Sequence, residues 1–90
     1  MSAVTDLLDD YAVWLGGESR PREVLDDMGR RASEIASDLT NAGLSCTAQE
    51  VTRWCTHKAV LASIQYVGRP YLDRGRRGRP MAAYLAERRS

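Results

Sequence analysis

The sequence predicts one small domain, mainly α-helical with a small β-hairpin at its end, an α+β arrangement of three helices and an arginine-tipped hairpin. Two observations carry this. Apolar side chains recur at three-and-four spacing through most of residues 4 to 62, and helix punctuation falls at only a few places. Beyond them, strand-forming Ile64-Gln65-Tyr66-Val67 and a second short apolar stretch, Met81 to Leu85, flank a turn rich in glycine, proline and arginine.

The first helix carries Val4, Leu7, Leu8, Tyr11, Trp14 and Leu15 on one stripe and ends at Gly16-Gly17, since glycine adopts the left-handed cap without steric cost. Ser19, Arg20 and Pro21 open the second, with proline tolerated in the first turn because its missing amide would have no partner there. Its stripe of Val24, Leu25, Met28, Ala32, Ile35, Ala36 and Leu39 runs to about Asn41, as one long helix or as two with a break near Gly29. Asn41-Ala42-Gly43 is a stop signal. Thr47-Ala48-Gln49-Glu50 is a capping box that starts the third helix, which is expected to end near Ser63. The next stretch reads as the hairpin; for residues 81 to 89 the alternative is a terminal helix after Pro80.

The 90 residues contain 43% hydrophobic and 28% charged side chains, a composition that suits a globular domain and neither a disordered tail nor a membrane span. The acidic start from Met1 to Asp10 does not suit a secretory signal, so a cytoplasmic location is expected. Cys46 and Cys55 are expected as reduced thiols, and with His57 alone to help they do not make a zinc set. The net charge of +1 hides a polarity: residues 1 to 50 hold four basic and ten acidic side chains, residues 51 to 90 nine basic and two acidic. Such asymmetry points to a polyanion-facing half, unless the two halves neutralise each other within the fold.

The densest charge is Arg69-Pro70-Tyr71-Leu72-Asp73-Arg74-Gly75-Arg76-Arg77-Gly78-Arg79-Pro80, five arginines and one acid in twelve residues. Arginine's planar fork suits phosphates and base edges, whereas lysine appears once, at Lys58. Two arginines separated by glycine, Arg77 and Arg79, suit the negative potential of a narrow minor groove. Arg69 and Arg74 are candidates for phosphate, and Arg76 and Lys58 are further candidates for DNA contact.

In this order, Ser33-Glu34-Ile35-Ala36-Ser37-Asp38-Leu39, Gly43-Leu44, Thr47 to Val51, and then Arg77-Gly78-Arg79-Pro80 with Tyr84-Leu85, the chain resembles the winged helix-turn-helix superfamily over residues 31 to 86. Residues 1 to 17 stand before it as an additional helix. Its connection from Asn41 to Cys46 is longer than the turn of the family's compact members. Arg76-Arg77-Gly78-Arg79-Pro80 is also similar to an AT-hook. The resemblance implies a three-helix domain with a wing at Arg69 to Pro80, and a recognition helix that begins at Thr47. Independently of the family, a helix fits the major groove, and Gln49, Thr52, Arg53 and Thr56 share its polar side; Arg53 can pair with guanine and Gln49 with adenine.

The expected function is therefore sequence-specific binding of double-stranded DNA, as a small prokaryotic or phage transcriptional regulator associated with the nucleoid. A homodimer through the first helix is expected, because its Leu7, Tyr11 and Trp14 stripe exceeds what a minimal three-helix motif requires. The alternatives are a winged-helix protein-binding module, or a phage-encoded inhibitor of a host protein, that docks through the acidic helices, Asp6 to Asp10 and Asp26 to Asp38, and binding of structured RNA. Trp14 and Trp54 read as core or interface aromatics, Trp54 as the better anchor. No phosphate loop, metal spacing or nucleophile with a base is present, so neither enzymatic activity nor a cofactor is expected.

Overall fold

A computed structural model of the chain describes residues 3–16, 21–65 and 78–89, with the side chains of 21 and 59–65 excepted. Among the described residues five helices account for the regular structure: α1 Ala3–Trp14, α2 Pro21–Arg30, α3 Ala32–Asn41, α4 Ala48–Gln65 and α5 Met81–Arg88. Among the described residues there is no strand, so the fold is all-α and the expected α+β winged arrangement is overturned. Met81 to Leu85, expected as the second strand, open α5, and Ile64 and Gln65 of the expected first strand close α4. Tyr66, Val67 and the arginine run from Arg69 to Arg77 lie outside the described residues.

The correction has a local cause. Met-Ala-Ala-Tyr-Leu-Ala-Glu-Arg contains seven strong helix formers and one β-leaning residue. Met81 and Tyr84 are buried three positions apart, a helical spacing that in a strand would put them on opposite faces. Pro80, at φ −67° and ψ 152°, is extended and offers no side-chain cap. Asp38 of α3 supplies one instead, its Oδ2 accepting from the Ala82 amide at 3.3 Å.

The second and third helices are two pieces of the expected stripe, and the break falls at Arg31 rather than Gly29. Arg31 has φ −103° and ψ 21°, while its amide still reaches the Asp27 and Met28 carbonyls, each at 3.1 Å. At the end of α3, Gly43 takes φ 95°. Its amide meets the Thr40 carbonyl at 3.0 Å and the Leu44 amide meets Leu39 at 2.9 Å, the paired bonds of a Schellman stop. The Thr40 hydroxyl then donates to the Cys46 carbonyl at 3.2 Å, closing the connection to α4. At the start of α4 the Thr47 hydroxyl accepts from the Glu50 amide at 3.1 Å and donates to the Glu50 carboxylate at 3.3 Å.

The longest helix, α4, packs most extensively on α2 and then on α3, and α5 lies across α3 and α1. Tyr11, Met28, Ile35, Leu39, Val51 and Met81 are fully buried, one or more from each helix, so every helix contributes to a single core. Trp54, expected as the main anchor, sits at its edge instead, half-buried, with its indole N–H enclosed and unpaired among the described residues. The centre belongs to Tyr11. Its ring lies 6.1 Å from that of Trp14 and 5.8 Å from that of Tyr84, an aromatic group that joins α1 to α5. Leu7 and Tyr11, expected at a dimer seam, are thus turned inward, and Trp14 packs partly against the same core.

Candidate nucleic-acid interface

Val51 and Cys55 mark the buried side of α4, and Gln49, Arg53 and Thr56 form the middle of the opposite, exposed arc, with Thr52 and His57 at its margins. The structure therefore brings together the four polar residues expected on one side of this helix, Gln49 and Arg53, the expected base readers, among them. They are not equally free. The Thr52 hydroxyl donates to the Ala48 carbonyl and the Thr56 hydroxyl to the Thr52 carbonyl, each at 3.0 Å, so both are turned back along the helix. Arg53 makes no hydrogen bond or ion pair with another described residue. Glu50 stands on the same surface, so the arc of α4 presents one cation and one anion.

Lys58 is placed differently from the expectation. It is half-buried, its ammonium 3.0 Å from Asp9 of α1 and 5.9 Å from the centre of the Trp54 ring. Arg88 of α5 likewise meets Asp10 at 3.2 Å. Two cations of the basic half are thus spent on acids of the acidic half, which is the neutralisation the sequence left open. Counting the described residues, the helical body holds eight basic and ten acidic side chains. Residues 66 to 77 add Arg69, Asp73, Arg74, Arg76 and Arg77, four cations against one anion. Positive charge is concentrated in that run.

Of the five arginines in the run, Arg79 is described; Arg69, Arg74, Arg76 and Arg77 lie outside the described residues. Arg79 is exposed, with its guanidinium 5.8 Å from the centre of the Trp14 ring. Its carbonyl accepts from the Tyr11 hydroxyl and, at 3.5 Å, from Arg31 Nη1. Arg31 also donates to the Tyr11 oxygen at 2.9 Å and to Asp27 at 2.9 Å through Nε, with Nη2 2.8 Å from the same carboxylate. Burial works against the Arg31 charge, but the bonds to Asp27 and Tyr11 outweigh it and raise its pKa. Burial likewise raises the Tyr11 phenol, although the Arg31 bond pulls the other way.

Sequence reasoning missed this group. Asp27 and Arg31, four residues apart on a helical stripe, are a readable pair. Tyr11 and Arg79 are 68 residues apart and give no local signal. The two cysteines are free and buried; burial, with a smaller contribution from Asp26, pushes the Cys55 thiol to about 11. No described helix is long and apolar enough to cross a membrane. Compared with protein-family models, curated proteins and solved structures, the chain matches none of them significantly.

Proposed function

We propose that the protein binds nucleic acid, with duplex DNA as its target, through the arginine run Arg69 to Arg79 and the exposed arc of α4, and that it acts as a small DNA-binding regulator. The observation that carries the reading is the charge distribution. A body that without Arg79 holds seven cations against ten carboxylates, and ties Lys58 and Arg88 to its own acids, adjoins a run with five arginines in twelve residues. Arg69, Arg74 and Arg76 meet phosphate in this reading, and Arg77 and Arg79 enter the minor groove. Gly78, at φ 76°, takes the left-handed backbone conformation immediately before Arg79. Arg53 and Gln49 are the base readers of the arc.

Fluorescence anisotropy with random duplex DNA across several salt concentrations tests it. The expected log-log slope is about −0.9 for each phosphate met, and Arg76→Glu with Arg77→Glu lowers its magnitude by about 0.9, since of the two Arg76 is the phosphate contact. No binding at low salt, or a slope indifferent to the double substitution, overturns the reading. Arg53→Ala is expected to cost about 1 to 3 kcal/mol on a selected site and much less on random DNA.

The acidic body favours a second reading, docking on a basic protein surface through exposed Asp6 and Asp26. A partner lost on Asp6→Lys with Asp26→Lys, and kept on Arg76→Glu with Arg77→Glu, selects it.

A further inference from the structure

We propose that Tyr11 and Arg31 are positioning residues for Arg79 as a polyanion contact: from inside the helical body they hold the Arg79 backbone, and so set this arginine before nucleic acid arrives. The inference rests on the nucleic-acid reading above and adds how that site is set.

Arg31 itself is no phosphate ligand. Its side chain is 16% exposed, and its nitrogens are taken by Asp27, the Tyr11 oxygen and the Arg79 carbonyl. Tyr11 is fully buried, and its hydroxyl is directed at the same carbonyl. That carbonyl stands outside the α5 ladder. The first helical carbonyl is that of Pro80, which accepts from Ala83 at 3.0 Å and from Tyr84 at 3.4 Å. The Arg79 carbonyl therefore needs partners from elsewhere, and two come from α1 and the α2–α3 junction.

The neighbours of Arg79 are restricted too, Gly78 in a left-handed turn and Pro80 by its ring. Its side chain is exposed and, among the described residues, held over the Trp14 ring, a contact weak at a surface and readily exchanged for phosphate. The backbone is fixed while the guanidinium stays available. Binding then does not bear the entropy of ordering these residues.

The docking of α5 does not depend on the clasp. Met81 and Tyr84 are buried and Asp38 caps the first turn, so removing one hydroxyl leaves the helix in place. This separates positioning from stability. Tyr11→Phe keeps the ring and deletes the hydroxyl; Arg31→Lys keeps the charge and deletes the fork.

The experiment measures anisotropy with random duplex DNA at several salt concentrations, well below each variant's melting transition. For Tyr11→Phe the dissociation constant is expected to rise about tenfold, ~1.4 kcal/mol, with the salt slope unchanged because the same phosphates are met. Arg31→Lys is expected to lose a similar factor. A residue that only stabilised the fold would lower the melting temperature and leave the affinity of the folded protein alone. A folded Tyr11→Phe that binds as the parent does, or an Arg31→Lys that retains full affinity, overturns the positioning role while the nucleic-acid reading stands. A parent protein with no salt-dependent binding sinks both.

Discussion

The helical state of residues 81 to 88 can be tested by comparing two adjacent truncations, Tyr84→Ala and Leu85→Ala. In the helix Tyr84 is 8% exposed, its ring 5.4 Å from that of Trp14 and 5.8 Å from that of Tyr11, whereas Leu85 is only partly buried. Truncating a buried aromatic costs about 3 to 5 kcal/mol, which includes roughly 0.5 to 1.5 kcal/mol for each aromatic pair. A fully buried leucine would cost about 2 to 5 kcal/mol, so the half-buried Leu85 is expected to cost about 1 to 2 kcal/mol. A domain of this size has a total stability of about 5 to 13 kcal/mol, so Tyr84→Ala removes a large share of it. Urea unfolding followed by circular dichroism reads both, and the melting temperature falls by about 4 to 8 °C for each kcal/mol. In a strand that buries Met81, residues 83 and 85 would point inward and 84 outward. A Leu85→Ala cost equal to or above that of Tyr84→Ala would therefore refute the helix and restore the hairpin.

Two glycines should respond with opposite signs. Gly29 is helical with nothing within 4 Å of an added Cβ, so Gly29→Ala is expected to stabilise by about 0.5 to 1 kcal/mol in urea unfolding. Gly43 has equal space but φ 95°, so Gly43→Ala is expected to destabilise by about 1 to 2 kcal/mol in the same assay. Cys46 and Cys55 both have raised pKa values, chiefly through burial, so mass spectrometry after iodoacetamide at about pH 8 should find the native protein unlabelled and the denatured chain doubly labelled. Because the unfolded Cys55 thiol ionises first, at about 8.5, its contribution to stability should fall as the pH rises from there toward about 11. Asp9→Asn with Asp10→Asn frees Lys58 and Arg88, and should raise affinity for duplex DNA at low salt about three- to tenfold, with the gain gone at high salt; an unchanged affinity refutes the electrostatic argument.

The parts of the fold legible in the sequence are those encoded within a few residues. Val51 and Cys55 on one side of α4 and Arg53 on the other follow from its period, and Thr47 with Glu50 marks its start. Gly43 ends α3 because its own backbone requires it. The hairpin failed because strand propensity in Ile64 to Val67 and an arginine-rich turn were allowed to outweigh the alanines of α5, which speak for a helix on their own. The roles of Tyr11 and Asp38 were not legible. Each acts on the chain near residue 80, from 68 and 44 positions away, and only the folded core brings them together. For the candidate site, periodicity placed the α4 arc correctly, while the commitment of Lys58 to Asp9 depends on how α1 and α4 are brought together.

The same ion pairs bear on where a polyanion can be held. A half-exposed pair such as Lys58 with Asp9 is worth about 1 kcal/mol, too little to explain it as a stability device. Its larger effect is on the field. Each paired cation is cancelled locally within a Debye length, so the helical body offers a polyanion Arg53 on one helix face and little else along α4. A groove-binding helix with one free cation can discriminate bases, but it cannot supply the long-range attraction that brings duplex DNA to it. In the proposed nucleic-acid reading that attraction comes from the arginine run. The buried fork of Arg31 then has a reason to be an arginine: it reaches Asp27 through Nε, the Tyr11 oxygen through Nη2 and the carbonyl of Arg79 through Nη1, three directions that the single nitrogen of a lysine does not reproduce.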